Sequence, residues 1–89
     1  MATEPKQKPV KEFRFGAIKI AVWKREHEGK TFYSTSLSRS YRVDVDEREG
    51  PGDEGWRETN SFDSTDLATV ETGVQMAMKW IKNEMLAAV

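Results

Sequence analysis

The feature that most constrains this chain is an alternation of side chains along residues 31–45. One set contains aromatic, β-branched and long side chains, namely Tyr33, Thr35, Leu37, Arg39, Tyr41, Val43 and Val45. The set between them is mainly hydroxyl or charged, namely Phe32, Ser34, Ser36, Ser38, Ser40, Arg42 and Asp44. A period of two in such residues is typical of an antiparallel strand with one buried face. At about 3.3 Å per residue the strand would be about 50 Å long, several times the usual length, so we expect a bend or bulge within it.

Three shorter stretches predict the remaining strands of a sheet. Apolar alternation indicates a first strand at residues 10–15 and a second at residues 17–25, and their phases differ by one residue across Gly16. Such a slip at a glycine indicates a bulge or a break between two strands. The polar residues 26–30 are expected to join the second strand to the third as a hairpin. Residues 56–62 alternate again and form the predicted fourth strand.

A long helix is predicted to follow the fourth strand directly. Asp63 is its expected N-cap, with Phe62 and Leu67 placed to pack against each other across the first turn. One apolar stripe is expected to pack on the sheet: Leu67, Val70, Val74, Ala77, Met78, Ile81, Met85 and Ala88. The predicted fold is therefore α+β, a four-stranded antiparallel sheet followed by one long C-terminal helix packed on it.

A second apolar set lies beside that stripe on the predicted helix: Gly73, Met76, Trp80 and Ala87. Together the two sets cover an arc of roughly 200°, which is wider than one sheet can bury. A domain of this size also gains burial by association. We therefore predict a homodimer whose interface contains the second set. The alternative is that Met76 and Trp80 cover the rim of their own sheet.

The predicted domain organisation is simple. Residues 1–9 are polar, contain two prolines and are expected to form a disordered arm. Residues 10–89 form one small domain. Within it, residues 46–55 are charged, rich in glycine and without an apolar anchor, so we expect a mobile acidic loop.

The chain offers little for catalysis or metal binding. It has no cysteine and a single histidine, His27, which stands among charged residues. Its carboxylates are scattered, and the glycines at residues 50–52 do not open a phosphate-binding motif. We expect no enzymatic activity, no catalytic residue, no metal and no cofactor. No signal-like segment or apolar run of membrane-spanning length is present, so we expect a soluble, cytoplasmic protein that does not bind membranes.

Charge is distributed unevenly along the chain. The formal net charge is only −1. Residues 13–45 carry seven basic and three acidic side chains, a net of +4, whereas residues 46–55 carry a net of −4. Positive charge on the predicted strands permits a polyanion site despite the acidic total.

The order of elements resembles the single-stranded-DNA-binding fold of the positive-cofactor-four transcriptional coactivators, which the plant Whirly proteins use in a doubled version. The resemblance covers roughly residues 13–82 and includes an acidic Gly/Pro loop after the third strand. The matching residues are Phe15-Gly16 before strand two, Gly29-Lys30 in the hairpin and Arg39-x-Tyr41 late in strand three. This family implies a homodimer built through the helices and a nucleic-acid groove along the sheets and hairpins. The chain departs from it in its acidic net charge and its serine-rich strand, and it also resembles small bacterial proteins of unassigned function.

A nucleic-acid site is predicted on the face of the sheet away from the helix. Aromatic rings there would stack on bases while cations bind phosphates. We expect Lys19, Trp23, Arg42 and Arg57 to share this face with the serines. The full set of candidates, with those implied by the resemblance, is Lys19, Trp23, Lys30, Arg39, Tyr41, Arg42 and Arg57.

By the alternation along residues 31–45, Arg39 is expected to lie on the buried face of the sheet. A bulge near residues 38–40 would turn it outward, or it would pair with an acid across a dimer.

Two functions remain open from the sequence. The first is a homodimeric module that binds single-stranded DNA or RNA weakly and with little sequence preference, as an accessory in transcription or replication. The second is a protein-interaction or structural dimer that does not bind nucleic acid.

Overall fold

The computed structural model describes residues 8–87. Its elements are strands β1 (Lys11–Phe15), β2 (Ile18–His27), β3 (Lys30–Arg42) and β4 (Trp56–Thr59) and helix α1 (Leu67–Ala87). The strands form one antiparallel sheet in the order β1-β2-β3-β4, and α1 packs on it. The predicted α+β fold is confirmed. Residues 1–7 of the predicted arm, and Ala88 of the predicted stripe, lie outside the described residues.

Two-residue turns join the first three strands. Phe15 pairs with Ile18, so the phase slip across Gly16 is a hairpin turn rather than a bulge. At the other end of β2, His27 pairs with Lys30, and the residues between them, Glu28 and Gly29, have φ angles of 53° and 77°. Two consecutive positive φ values are typical of a type I′ turn, whose twist suits a hairpin. Both β2 and β3 therefore extend almost to the turn.

The long strand β3 keeps one register with each neighbour. Its pairs with β2 run from Ile18–Arg39 to His27–Lys30, and its pairs with β4 run from Arg39–Thr59 to Arg42–Trp56. No residue is skipped in either ladder, so the bulge expected within this strand is absent from the paired residues.

The predicted ends of the third and fourth strands need correction. β3 ends at Arg42, where Val43 N–H still donates to the Gly55 carbonyl at 2.8 Å before the chain turns into a short 3₁₀ helix, Val45–Glu47. β4 ends at Thr59 rather than at residue 62.

The helix begins through a tight first turn. Ser64–Asp66 is a 3₁₀ helix, and α1 continues from it at Leu67. Asp63 N–H donates to Asp66 Oδ2 at 3.1 Å, which occupies one of the backbone donors left free at a helix start.

The core lies between β2 and the smallest residues of α1. Ile18, Ile20 and Val22 are buried together with Ala77, and Gly73 is buried against Ile20. Partly buried apolar residues packed around this centre are Phe13, Phe15, Tyr33, Leu37, Phe62, Val70, Trp80 and Ile81. The helix therefore meets the sheet along a line through its glycine and alanine, where the two backbones approach most closely.

This orientation confirms Val70, Ala77 and Ile81 of the predicted helix stripe and corrects other members. Leu67, Met78 and Met85 were expected to pack on the sheet, but each is more than half exposed. Small residues allow a closer approach than large ones, so the helix is rotated to place Gly73 and Ala77 on β2.

The same rotation removes Gly73 from the predicted dimer set, and the homodimer stays a prediction. Gly73 lies in the core of its own chain, and Trp80 packs edge-on against Tyr33 with ring centroids 6.2 Å apart. Met76 and Ala87 remain exposed.

We predict that Gly73→Ala destabilises the fold. A Cβ at this position would lie 1.8 Å from Ile20 Cδ1, and Ile20 is completely buried. Overpacking typically costs about 1–3 kcal/mol, which exceeds the gain of up to about 1 kcal/mol from replacing glycine in a helix. Urea unfolding should show a lower midpoint than wild type, with Thr72→Ala on the exposed side of the helix as a control. An unchanged or higher midpoint for Gly73→Ala would contradict the packing described here.

Candidate nucleic-acid interface

The face of the sheet opposite α1 carries a line of aromatic and basic side chains. Paired residues in an antiparallel sheet project to the same side, and successive residues alternate. Since Ile18, Ile20 and Val22 face the helix, the odd-numbered residues of β2 and the even-numbered residues of β3 face away from it. We call this surface the open face. Its aromatic residues are Trp23, Phe32 and Trp56, and its basic residues are Arg14, Lys19, Arg25, Lys30 and Arg42.

Trp23 is held along the surface of the sheet. Its indole Nε1–H donates to Ser36 Oγ at 3.0 Å, and Ser36 pairs with Ala21. The ring therefore extends over Ala21, which is only 2% exposed although it lies on the open face. A ring fixed in this way presents one flat side to solvent.

Trp56 and Phe32 are the more exposed rings of the open face. Trp56 is 57% exposed and Phe32 is 52% exposed. The Arg42 guanidinium lies 5.5 Å from the centre of the Trp56 ring, and its Nε–H donates to the Glu54 carbonyl at 2.8 Å. That hydrogen bond and the cation–π contact hold Arg42 beside the ring. Phe32 pairs with Arg25 near the hairpin tip, so each exposed ring has a cation next to it.

One carboxylate stands in the middle of the open face. Lys19 Nζ lies 3.3 Å from Glu58 Oε1, and Ser38 Oγ–H donates to the same oxygen at 3.1 Å. The hydrogen bond from Ser38, followed by the interactions with Lys19, lowers the pKa of the Glu58 carboxyl below its usual value. Glu58 is therefore ionised at neutral pH and only accepts hydrogen bonds.

Two shallow cavities adjoin on the open face and share Lys19 and Glu58. The first has Trp56 in its wall, together with Arg14 and Ser40. The second has Trp23 in its wall, above the strand of serines that includes Ser36 and Ser38. Each cavity thus combines one indole with the shared Lys19 and Glu58. The second cavity also has several hydroxyl groups in its wall, whereas the first has one, that of Ser40.

The structure brings together four of the seven candidate residues predicted from sequence. Lys19, Trp23 and Arg42 lie on the open face, as expected, and Lys30 lies there too. By strand parity Arg39, Tyr41 and Arg57 lie on the helix side, although Arg57 also borders the first cavity. For Arg57 this corrects the prediction, because Arg57 pairs with Tyr41 while its neighbour Trp56 pairs with Arg42.

Arg39 and Arg57 both form ion pairs with carboxylates of their own chain. Arg39 Nε lies 2.9 Å from Asp66 Oδ2, and this ion pair joins β3 to the start of the helix. The Arg39 Nε–H group does not form a hydrogen bond with that oxygen. Arg57 Nη1 and Nη2 lie 3.1 and 2.8 Å from the two oxygens of Asp53. The acid paired with Arg39 is thus in the same chain, not across a dimer.

Asp53 organises the acidic loop. Besides Arg57, its carboxylate accepts the backbone N–H groups of Glu49 at 2.9 Å and Gly55 at 2.8 Å. These hydrogen bonds, that from Arg57 being the strongest, hold the pKa of Asp53 well below its usual range. The same pairing raises the pKa of Arg57. The carboxylate ties residues 49 and 55 of the loop to β4, and the mobility expected for residues 46–55 stays a prediction.

Sequence reasoning missed Arg14, Arg25, Phe32, Trp56 and Glu58 as candidate site residues. The parity of β3 already placed Phe32 beside the serines, and the hairpin register placed Arg25 opposite it. The faces on which Trp56 and Glu58 lie could not be predicted by the same reasoning. Their side depends on where the chain re-enters the sheet after the loop, and the sequence of a glycine-rich loop does not fix that register.

Comparison with known proteins identifies no related protein. The chain matches no protein-family model, and neither a curated protein nor a solved structure matches it. Within residues 8–87, no helix has the length and apolar content needed to cross a membrane.

We predict that Asp53 contributes stability that depends on pH. Its folded-state pKa lies below the value of about 3.9 expected in the unfolded chain, so unfolding takes up a proton. This contribution is fully present above about pH 5 and is lost as the pH falls through and below the unfolded-state pKa. The urea midpoint of Asp53→Asn should be lower than wild type at pH 7, and the difference should shrink toward pH 3. Glu54→Gln is the matched control. A constant difference between Asp53→Asn and wild type over this range would contradict the assignment.

Proposed function

We propose that this protein is a homodimeric module that binds single-stranded nucleic acid through the open face, as an accessory in transcription or replication. The observation that carries the proposal is the collection of three aromatic rings and five basic side chains on the side of the sheet away from the helix. Aromatic rings stack on bases of any sequence, and lysine and arginine neutralise phosphates. The order of four strands and one helix, shared with the coactivator fold named above, supports the same function.

The spacing of the rings suits an extended strand. Trp23 pairs with Ser34 and Trp56 pairs with Arg42, so eight residues of β3 separate the two positions. At about 3.3 Å per residue this is about 26 Å, which accommodates several nucleotides. Rings that lie exposed on a sheet need unpaired bases to stack on, so the arrangement favours a single strand over a duplex.

Charge sets the expected strength of binding. Of the basic residues near the sheet, Arg39 and Arg57 are engaged by Asp66 and Asp53, and Lys19 shares Glu58. The acidic loop adds repulsion. We therefore expect weak, sequence-tolerant binding that falls as salt is added, because each phosphate contact releases counterions.

We predict that neighbouring cations on opposite faces behave differently. Arg25 lies on the open face and Lys24 on the helix side of the same hairpin. Arg25→Gln should weaken binding to an oligo(dT) strand and reduce the slope of log affinity against log salt by about one unit, whereas Lys24→Gln should change both much less. Fluorescence anisotropy across a salt series measures both quantities.

Trp56→Ala should lower the affinity by about 1–3 kcal/mol while leaving the salt slope unchanged, because stacking does not release counterions. Equal effects of the Arg25 and Lys24 changes would place the strand elsewhere. No binding by wild type at low salt would instead support the protein-interaction dimer.

The homodimer in this proposal rests on the outer side of the helix. In the described residues, the fully buried apolar core consists of Ile18, Ile20, Ala21, Val22 and Ala77. A core this small is marginal for an isolated domain. Leu67, Met78 and Met85 are exposed along one line of α1, with Val74 and Ile81 half-buried between them. These residues follow the 4–3 spacing of a helix–helix seam, so the second copy would pack here rather than on Gly73 and Trp80.

We predict that Met78→Gln combined with Met85→Gln shifts the protein from dimer to monomer. Both side chains are more than half exposed in the single chain, so their replacement should leave the fold intact. Light scattering at tens of micromolar gives the mass, and circular dichroism checks the fold. Met76→Gln, on the other side of the helix, is the matched control. A monomeric wild type, or a double variant that stays dimeric, would contradict this interface.

A further inference from the structure

Glu58 is a group on the open face that nonspecific binding to a polyanion does not use. A carboxylate in the centre of a basic surface repels phosphates and lowers affinity. Because the pKa of Glu58 is lowered, its carboxylate is negatively charged at neutral pH. Its position between the two cavities places this charge where a bound strand would pass.

The contacts of Glu58 leave one side of the carboxylate available. Lys19 and Ser38 both contact Oε1. Among the described residues no hydrogen bond or ion pair reaches Oε2. Trp56 lies two residues earlier in β4 on the same face, and both side chains line the first cavity together with Arg14. That cavity therefore offers a stacking ring, an anionic acceptor and a cation within one space.

We propose that the first cavity is a subsite for a guanine base of the bound strand. The base stacks on Trp56, its Watson–Crick edge donates to the Glu58 carboxylate, and Arg14 binds the adjoining phosphate. Sequence-specific recognition of single strands generally combines stacking with hydrogen bonds to this edge of a splayed base. This inference rests on the proposed function and adds a preference at one position of an otherwise sequence-tolerant surface.

Guanine fits because of the order of groups on its edge. Its N1–H and N2–H₂ are adjacent donors, both directed at an incoming acceptor. Adenine and cytosine place a ring-nitrogen acceptor next to their amino group, and thymine or uracil has one N–H between two carbonyl oxygens. An ionised carboxylate attracts the two donors of guanine and is repelled by the acceptors of the other bases.

The test uses oligo(dT) strands that differ only at one central nucleotide. Guanine, inosine, adenine, cytosine or thymine is placed there, and dissociation constants are measured by fluorescence anisotropy at low salt. We expect wild type to bind the guanine strand roughly 5- to 150-fold more tightly than the thymine strand, the range of discrimination of a good paired hydrogen bond to a base. Inosine lacks the 2-amino group and should fall between them.

Variants separate a hydrogen-bonding role from a purely electrostatic one. Glu58→Gln should abolish most of the guanine preference while it strengthens binding to the thymine strand, because a repulsive charge is removed. Glu54→Gln in the adjacent loop is the matched control and should keep the preference.

Three results would overturn the subsite. The first is equal tightening for every base in Glu58→Gln with the ratio between strands preserved. The second is equal affinity of wild type for the guanine and inosine strands. The third is tight binding of all strands without a guanine preference, which would leave the proposed function standing. Failure of every strand to bind would overturn both.

Discussion

The close contact between α1 and β2 is the constraint on which the rest of this structure depends. Gly73 brings the helix backbone so near the sheet that even a methyl group would meet Ile20. Ala77 is buried in the same core cluster as Ile18, Ile20 and Val22. Because these small residues face the sheet, the larger apolar residues lie on the flanks of the helix. One face of the sheet is then covered and the other is left to solvent.

The unbroken register of β3 determines which side chains lie together on the open face. A single skipped residue in the strand would have moved every later side chain to the other face. Because no residue is skipped between Lys30 and Arg42, the serines, Phe32 and Arg42 stay on the same side as Trp23 and Lys19. The loop then returns the chain so that Trp56 joins them. Ion pairs of Arg39 and Arg57 on the opposite side fasten the helix start and the loop to the same strands.

Much of the fold could be predicted from periodicity, since alternation along β3 and the apolar rows of α1 are strong local signals. The exact face of the helix could be predicted only in part. Periodicity correctly placed Val70, Ala77 and Ile81 toward the sheet. It also placed the exposed Leu67 and Met78 there and left out Gly73, which packs closely against Ile20. In contrast, the positions of Lys19, Trp23 and Arg42 on the open face followed from alternation within their strands.

Arg57 did not follow from parity, because its side is set by a register that starts after the loop. The bulge expected from strand length is also absent. The two-residue turn at Glu28–Gly29 lets β2 and β3 pair as one long hairpin. The part of β3 nearest this turn pairs with β2 alone, and only its last residues, 39–42, also pair with β4.

We propose that single-stranded nucleic acid binds the open face and not the helix side. The chain provides a direct test, because it has three tryptophans, of which Trp23 and Trp56 lie on the open face and Trp80 packs against the other. Their indole N–H signals can be followed by NMR during titration with oligo(dT) at low salt. We predict that the indole N–H signals of Trp23 and Trp56 shift with the same dissociation constant, while the chemical shift of Trp80 does not change. A shift of Trp80 alone, or no shift in any of the three, would contradict it.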